Sequence, residues 1–339
     1  MIKAREGDFI ETGAGWLFDV KGFVHPQNRV IAFPRYFPRE HGIRRGKRIG
    51  YSKVYSFSER YALLNREYPQ YVVIDPVFDE MLCEVPIEDI RRIYAPARKL
   101  RELRSSGGKD PLEEKALSFA ELIYERSKVP WKAIGVSGSL LVQLHTMRSD
   151  IDLVVYGAGN CRRVYSALRM LVREGETVRP YRSDELPVLF DFRSKDTAMS
   201  FGDFVRTESR KIMQGKFLGT DYFFRFVKDW NEINEKYGDV CYKNSGTAEI
   251  EAEVIDDGES IFTPCMYQIN RVRVTEGNRD LQPNQIVSFR GRFCEHAKNG
   301  ETVVAHGKIE RCLDRRSQTE HCRLLVGNDV SDFVILKRT

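Results

Sequence analysis

The 339-residue sequence has little of what marks membrane, secreted or zinc-binding proteins. No run of 18 apolar residues is present, so no transmembrane helix is expected. The opening Met-Ile-Lys-Ala-Arg-Glu-Gly-Asp lacks the apolar stretch of a signal peptide. The seven cysteines are odd in number and form no Cys-x-x-Cys pair, which argues against a disulfide framework and a standard zinc site. These absences predict a cytoplasmic protein.

The composition predicts a folded chain of two or three domains. Hydrophobic residues make up 42% of the sequence, which is ample for buried cores at this length. The change of texture along the chain indicates three regions. We expect an N-terminal α+β module at 1–97, a central domain at 98–240 and a β-rich domain at 247–339.

Positive charge is concentrated near the N-terminus. The segment Arg29–Lys53 holds eight basic residues and one acid, Glu40, and aromatic residues are interleaved with them. Cations attract phosphates and aromatic faces stack on bases, so this mixture is typical of single-stranded nucleic-acid sites. We expect RNA binding by four cations of this segment: Arg44, Arg45, Lys47 and Arg48. Two alternatives stay open, a solvated loop and a grip on the triphosphate of a nucleotide.

The most informative motif is a Gly-Ser pair followed, after ten residues, by Asp-x-Asp. Gly138 and Ser139 follow a predicted strand at 131–137 and precede a predicted short helix at 140–147. Asp150 and Asp152 lie on a second predicted strand, at 150–156, where alternation places both on one face. The glycine allows close approach of the backbone to a phosphate, and the serine supplies a hydroxyl and an amide. Paired carboxylates suit Mg²⁺, whose ligands are commonly completed by substrate phosphates.

In this motif the sequence resembles the DNA polymerase β-like nucleotidyltransferase superfamily. With its Gly-Asp-Phe-Ile-Glu stretch at 7–11 and β-rich C-terminal part, it looks like an archaeal group of predicted nucleotidyltransferases. The resemblance covers about 115–230 and implies a mixed sheet with helices. It also implies transfer of a nucleoside monophosphate from a nucleoside triphosphate, with two Mg²⁺ ions and release of pyrophosphate.

The resemblance further implies a third carboxylate on a later strand, and here the sequence departs from the pattern. Asp221 begins the next strand-like run, but Arg225 stands where a central acid is expected. Asp221 is the first candidate, and Glu251 and Asp191 are alternatives. If none completes the site, the domain binds nucleotide without turning it over.

Helices and strands around the motif follow from local signals. We expect helices at 97–104, 111–127 and 207–217, and a further one at 161–173 with Asn160 as its N-cap. Six short alternating runs after residue 247 predict a small barrel or sandwich, and the length suits an OB-like barrel. We expect a hairpin between the run at 286–294 and the next.

These observations predict an α+β nucleotidyltransferase with RNA as the expected acceptor. A protein or small-molecule acceptor would leave the same catalytic residues. Two alternatives belong to a different class: a nucleic-acid-binding protein with an incomplete nucleotidyltransferase domain, and a nucleotide-sensing protein.

Overall fold

The structure is a computed structural model that describes residues 3–46 and 49–337. For Arg45, Phe57 and Ser58 it describes the backbone alone. The fold is mixed α+β, and the described ranges contain seven α-helices and three sheets. In these ranges no helix combines the length and the apolar character that a membrane crossing requires.

The helices are α1 (Phe57–Glu67), α2 (Pro96–Ser106), α3 (Pro111–Ser127), α4 (Gly138–Leu141), α5 (Ala158–Glu174), α6 (Leu186–Arg193) and α7 (Phe201–Glu208). The first nine strands are β1 (Phe9–Thr12), β2 (Leu17–Val20), β3 (Arg29–Pro38), β4 (Arg44–Arg45), β5 (Gly50–Lys53), β6 (Val72–Asp75), β7 (Glu80–Pro86), β8 (Ile90–Tyr94) and β9 (Ile134–Val136). The others are β10 (Ile151–Tyr156), β11 (Val178–Arg179), β12 (Gln214–Phe217), β13 (Thr220–Val227), β14 (Val240–Asp256), β15 (Cys265–Glu276), β16 (Gln285–Ser288), β17 (Thr302–Asp314), β18 (Thr319–Leu325) and β19 (Phe333–Leu336).

The chain divides into two compact units, each built from several stretches of sequence. The first contains Met1–Tyr71, Cys83–Pro180 and Ile212–Asn234. The second contains Val72–Leu82, Tyr181–Lys211 and Glu235–Thr339. The N-terminal sheet and the central sheet, which carries the Asp-x-Asp motif, therefore belong largely to the same unit.

In the first unit, an antiparallel N-terminal sheet runs in the order β4-β5-β3-β2-β1-β8. The central sheet has the order β11-β12-β13-β10-β9, in which β10 and β13 are parallel. Phe9, Leu17 and Tyr36 of the N-terminal sheet pack in one buried cluster with Leu141 and Leu144. This cluster fixes the N-terminal sheet against the chain that follows the Gly-Ser turn.

Several predicted helices are confirmed, α3 with its predicted ends and the others with changed ends. Helix α3 begins as expected, because the Asp110 carboxylate accepts hydrogen bonds from the amides of Leu112 and Glu113. Helix α5 ends at Gly175 as expected, but it begins earlier than predicted. Asn160 is therefore inside the helix and Gly157 is the N-cap, so the predicted cap was wrong.

The predicted helix at 207–217 was also wrong. Helix α7 ends at Glu208, and the end of the predicted segment is strand β12, which pairs with β13. The turn between these strands is Leu218-Gly219, and both residues have positive φ angles, of 46° and 81°. A two-residue turn of this kind matches the twist of a β-hairpin and so stabilises strand pairing over a helix.

The second unit contains a six-stranded sheet in the order β14-β15-β16-β18-β17-β19, and β14 also pairs with β17. All neighbours are antiparallel except β16 and β18, which are parallel. The six expected runs are thus all strands, but the expected hairpin after β16 is wrong. Strand β16 ends at Ser288 and pairs with β15 and β18, while the chain beyond it forms a short 3-10 helix.

Candidate functional site

The Gly-Ser turn and the Asp-x-Asp strand form one compact strand–turn–strand unit. Strands β9 and β10 are antiparallel neighbours, and the Ser137 amide donates a 2.8 Å hydrogen bond to the carbonyl of Asp152. The first strand is shorter than the predicted 131–137, because residues 131–133 form a 3-10 helix. The helix after the turn spans 138–141 rather than 140–147.

Gly138 and Asp152 are in direct contact. A Cβ atom on residue 138 would lie 1.8 Å from Oδ2 of Asp152, so the carboxylate fills the space that any side chain would need. Gly138 also has a φ of +61°, which only glycine adopts readily. The sequence therefore needs glycine here for two independent reasons, and the turn backbone lies directly beside a carboxylate.

Ser139 has a buried hydroxyl without a partner. The residue is 4% exposed, and its Oγ has no hydrogen-bond partner in the described structure. Buried hydroxyls are normally satisfied, so an orphaned one needs an explanation. Ser139 follows Gly138, which contacts Asp152, so its hydroxyl is a candidate donor to a phosphate oxygen at this turn.

Asp150 immediately precedes β10 and Asp152 is the second residue of that strand, where alternation predicts that the two side chains share a face. Within the described residues, neither carboxylate forms an ion pair or a hydrogen bond. Burial and the neighbouring Asp150 raise the pKa of Asp152 to about 7, and the cations Arg225, Lys53 and Arg35 oppose the rise. The site is therefore a repelling acid pair with cations nearby but not in contact.

Two of those cations come from the N-terminal sheet. Strands β2 and β3 pair Leu17 with Tyr36 and Phe18 with Pro34, so Arg35 is the extra residue of a β-bulge. A bulge changes the direction in which a side chain points. Lys53 is opposite Tyr36 in the pairing of β3 with β5.

The third cation, Arg225, is held by acids of the N-terminal segment. Its Nη1 lies 2.7 Å from Glu6 and 3.1 Å from Asp19. Lys21 pairs with the same Asp19 at 2.7 Å. The positive charges of Lys21 and Arg225 hold the pKa of Asp19 below its usual range despite burial. Much of the negative charge that compensates Arg225 therefore comes from Glu6 and Asp19 of the N-terminal segment.

The structure places Asp221 at the start of β13, next to the Asp-x-Asp strand. Tyr222 pairs with Ile151 and Phe223 with Asp152. Asp221 and Asp150 are therefore the residues just before the first pair of the parallel ladder. The carboxylate of Asp221 forms a 2.9 Å ion pair with Lys216. The residue directly beside Asp152 on the neighbouring strand is apolar, and Arg225 follows two positions later.

The other two candidates for the third carboxylate, Glu251 and Asp191, belong to the second unit. Glu251 is on β14 and forms ion pairs with Arg273 and Lys337. Asp191 is an exposed residue of α6.

The four cations expected to bind RNA have different positions. Arg44 donates from Nη1 to the carbonyl of Leu144 at 2.7 Å and to Ser149 Oγ at 3.4 Å. Its guanidinium is thus committed to the loop before the Asp-x-Asp strand. Arg45 is described by its backbone in β4 alone. Lys47 and Arg48 lie outside the described residues.

The carboxylates of Asp150 and Asp152 are suitable ligands for a Mg²⁺ ion whose other ligands are substrate phosphates and water. Within 3–46 and 49–337, no group of three His, Cys, Asp or Glu side chains could hold a metal ion. Mg²⁺ is usually bound by one or two carboxylates together with substrate phosphates and water. Asp150 and Asp152 provide two such carboxylates, and neither is neutralised by an ion pair.

Sequence reasoning missed the contribution of Glu6, Asp19 and Arg35 to this site. The only sequence signals were the density of charge near the N-terminus and the Gly-Asp-Phe-Ile-Glu stretch at 7–11. In the structure, the carbonyl of Gly7 accepts a 2.8 Å hydrogen bond from Ser137 Oγ, which connects that stretch to the Gly-Ser turn.

The comparisons with known proteins identify one relative of this chain. An uncharacterized protein of Methanocaldococcus jannaschii, MJ1086, is 33% identical over 349 aligned positions, which cover 99% of this chain and 100% of the relative. The chain belongs to the same family as that archaeal protein. No family model matches the sequence. No solved structure matches it either.

Proposed function

We propose that this protein is a metal-dependent nucleotidyltransferase that transfers a nucleoside monophosphate from a nucleoside triphosphate to an acceptor. The observation that carries the proposal is the contact between Gly138 and the Asp152 carboxylate beside the orphaned hydroxyl of Ser139. The backbone at Gly138 allows close approach of a phosphate, and the Ser139 hydroxyl is a donor without a partner in the described part of the chain. The Asp152 carboxylate on the adjoining strand forms no ion pair with any described residue. The spacing of the motif and its resemblance to the polymerase β-like superfamily support the same assignment.

In the proposed reaction, the acceptor hydroxyl oxygen bonds to the α-phosphorus. The bond from that phosphorus to the bridging oxygen breaks, pyrophosphate leaves with the electron pair, and the hydroxyl proton passes to water. Asp150 and Asp152 would hold two Mg²⁺ ions, and Asp221, the first candidate for a third carboxylate, would have to leave its ion pair with Lys216 to join them. When bound, the metal lowers the pKa of the attacking hydroxyl and neutralises the leaving group. Ser139 would orient the triphosphate through its hydroxyl.

RNA is the acceptor that we propose. The charge of the segment Arg29–Lys53 supports it, as does the strand pairing of the second unit. The neighbours β14-β15-β16-β18-β17 return to β14, and β16 and β18 are parallel. We propose that this circuit is a closed, OB-like barrel, a fold that often binds single-stranded nucleic acid. A cytoplasmic location is supported by the seven cysteines, which are all free thiols.

One experiment tests the transfer directly. The protein is incubated with each labelled nucleoside triphosphate, Mg²⁺ and total cellular RNA, and the labelled products are analysed by mass. We expect an RNA that has gained a nucleoside monophosphate, with pyrophosphate released in equal amount. Label on the protein or on a small molecule would replace RNA as the acceptor. Nucleotide binding without any labelled product would contradict the transfer.

The second candidate function is nucleotide binding without turnover. It is favoured by Phe223, the apolar residue beside Asp152, and by Arg225 on the same strand. A site with two acids can still bind a metal-complexed triphosphate, but the catalytic arrangement would lack one carboxylate. The protein would then serve as a nucleotide sensor or a nucleic-acid-binding platform.

A further inference from the structure

Arg35 and Lys53 of the N-terminal sheet form no ion pair among the described residues. Tyr36, next to Arg35 and opposite Lys53, packs with Leu141 and Leu144, and Arg44 of the same sheet donates to Leu144 and Ser149 in the loop that leads to the acid pair. We propose that Arg35 and Lys53 bind the terminal phosphates of the nucleotide, and the pyrophosphate that is released from it. The proposal rests on the proposed function, because it assigns residues to the same site. We call Arg35 and Lys53 together the polyphosphate clamp, and both belong to the basic segment Arg29–Lys53.

The position of Arg35 is set by the β-bulge in the pairing of β2 with β3. The β-bulge leaves Arg35 without a cross-strand partner between the pairs formed by Tyr36 and Pro34. Its carbonyl accepts a 3.0 Å hydrogen bond from the amide of Val54, which ties the bulge to the residue after Lys53. The guanidinium makes one long contact, 3.4 Å to the carbonyl of Val54, and no ion pair among the described residues. Most of its five donors are therefore available for a ligand.

Lys53 is a half-buried ammonium with no carboxylate in contact. Its only described contact is with the ring of Tyr55, at 5.1 Å from the ring centroid. Burial and the like charge of Arg35 lower the pKa of Lys53 to about 8, while Asp150 and Asp152 act in the opposite direction. A desolvated cation beside other cations is unfavourable in the free protein, and an anionic ligand would relieve that cost.

The charges of the two sheets are complementary toward a metal-bound polyphosphate. The central sheet presents the acids Asp150 and Asp152, which would repel a bare triphosphate. The N-terminal sheet presents Arg35 and Lys53, which attract one. Arginine binds phosphate oxygens in a bidentate manner, and lysine acts as a point charge. The orphaned hydroxyl of Ser139, next in sequence to the glycine that contacts Asp152, is an independent indication of a ligand with acceptor oxygens.

The test compares ligands with and without terminal phosphates. Binding of ATP, AMP and inorganic tripolyphosphate in the presence of Mg²⁺ is measured by calorimetry for the full chain and for Arg35→Gln, Lys53→Gln and the double variant. We expect the double variant to lose at least about tenfold in affinity for ATP and tripolyphosphate, because charge-assisted hydrogen bonds are lost. The affinity for AMP should stay within about twofold. The control is Arg39→Gln, which changes an exposed cation of the same segment and should bind all three ligands like the wild type.

Each outcome decides between the proposals. Unchanged tripolyphosphate binding in the double variant, or no binding by the wild type, would overturn the clamp. Normal nucleotide transfer with that result would leave the proposed function standing. Loss of tripolyphosphate binding in a protein that transfers no nucleotide would keep the clamp and remove the transfer. If RNA affinity and its salt dependence fall in the double variant while polyphosphate binding does not, the two cations contact an RNA backbone and the clamp is wrong.

The fold of these variants is checked separately by thermal unfolding. Neither side chain carries an ion pair, so no structural contact of consequence is removed. We expect Lys53→Gln to unfold at the same temperature as the wild type or a higher one. A gain of stability with a loss of polyphosphate binding is the pattern of a residue kept for its ligand.

Discussion

Arg225 of β13 and Glu6 form an ion pair across 219 positions of sequence, with Nη1 and Oε1 2.7 Å apart. Glu6 is fully buried and also accepts a 2.8 Å hydrogen bond from the amide of Gly22. The pair connects the N-terminal segment to the centre of the central sheet. Its strength can be measured by removing one charge.

The first prediction concerns this pair. We expect Glu6→Gln to lower the free energy of unfolding by about 3 kcal/mol, because the variant leaves a largely buried guanidinium with incomplete compensation. Urea unfolding at pH 7 measures the change. The matched control is Glu174→Gln, which breaks the exposed pair of Glu174 with Arg126 and should cost less than about 1 kcal/mol. Equal effects of the two variants would show that the Glu6 pair contributes no more to the free energy of unfolding than an exposed pair does.

The second prediction concerns the turn glycine. Gly138→Ala places a Cβ against the Asp152 carboxylate in a backbone conformation that alanine disfavours. We expect both lower stability and at least about a tenfold loss of Mg²⁺-dependent nucleotide affinity. The control, Gly159→Ala, meets no atom within 4 Å and should keep full binding. Wild-type nucleotide affinity in Gly138→Ala would contradict the role of the turn.

The third prediction concerns the acid pair. The double variant Asp150→Asn with Asp152→Asn removes two anionic oxygen ligands but keeps their shape. We expect Mg²⁺-dependent nucleotide binding to fall sharply, while the fold survives because a buried repulsion is also removed. Calorimetry with Mg²⁺ and a nucleoside triphosphate gives the affinity, and circular dichroism gives the fold. Unchanged binding would remove these residues from the site.

The fourth prediction concerns the third carboxylate. If Asp221 completes the site, Asp221→Asn should lose most of the transfer rate and keep most of the nucleotide affinity, because its interaction is strongest in the transition state. Single-turnover transfer and equilibrium binding separate the two effects. Glu174→Gln, which changes an exposed acid of α5, is the control, and its transfer rate should match the wild type. A wild-type rate in Asp221→Asn would leave the site with two acids.

The fifth prediction is a pH dependence in the second unit. The neighbouring Lys211 and Arg193 lower the pKa of the buried Glu208 to about 2, from 4.5 in an unfolded chain. The stabilisation from this carboxylate is fully present above pH 4.5 and is lost as the pH falls toward 2. The shift corresponds to about 3 kcal/mol.

Urea unfolding at a series of pH values tests this dependence. We expect the difference in stability between the wild type and Glu208→Gln to be largest at pH 7 and to shrink below pH 4.5. The control, Glu320→Gln, removes an exposed acid that is paired with Arg311 and should give a nearly constant difference. A constant difference for Glu208→Gln would show that its carboxylate is not stabilised by the fold.

Local signals predicted much of the first unit. The capping of α3 by Asp110 and the end of α5 at Gly175 depend on interactions within a few residues, which a sequence displays directly. Both of these helix ends agree with the expectations from the sequence.

Features that depend on distant pairing could not be predicted. The bulge at Arg35 exists only because β2 and β3 pair in a shifted register, and the pairing of Arg225 with Glu6 requires two sheets to meet. The segment that ends the predicted helix at 207–217 is strand β12, whose conformation is set by its pairing with β13. Arg44 similarly resembles a free cation in the sequence, whereas its guanidinium is bound to the carbonyl of Leu144.

The order of strands in the central sheet has a consequence for synthesis. Strand β13 lies between β12 and β10, at the centre of the sheet, yet it is the last of the five to leave the ribosome. Until residue 227 has emerged, the Asp-x-Asp strand has one open edge, and an open edge of a buried strand is a template for wrong pairing. A nascent chain that stops before β13 should therefore depend on chaperones, and the acid pair can reach its final surroundings only after about two thirds of the protein has been made.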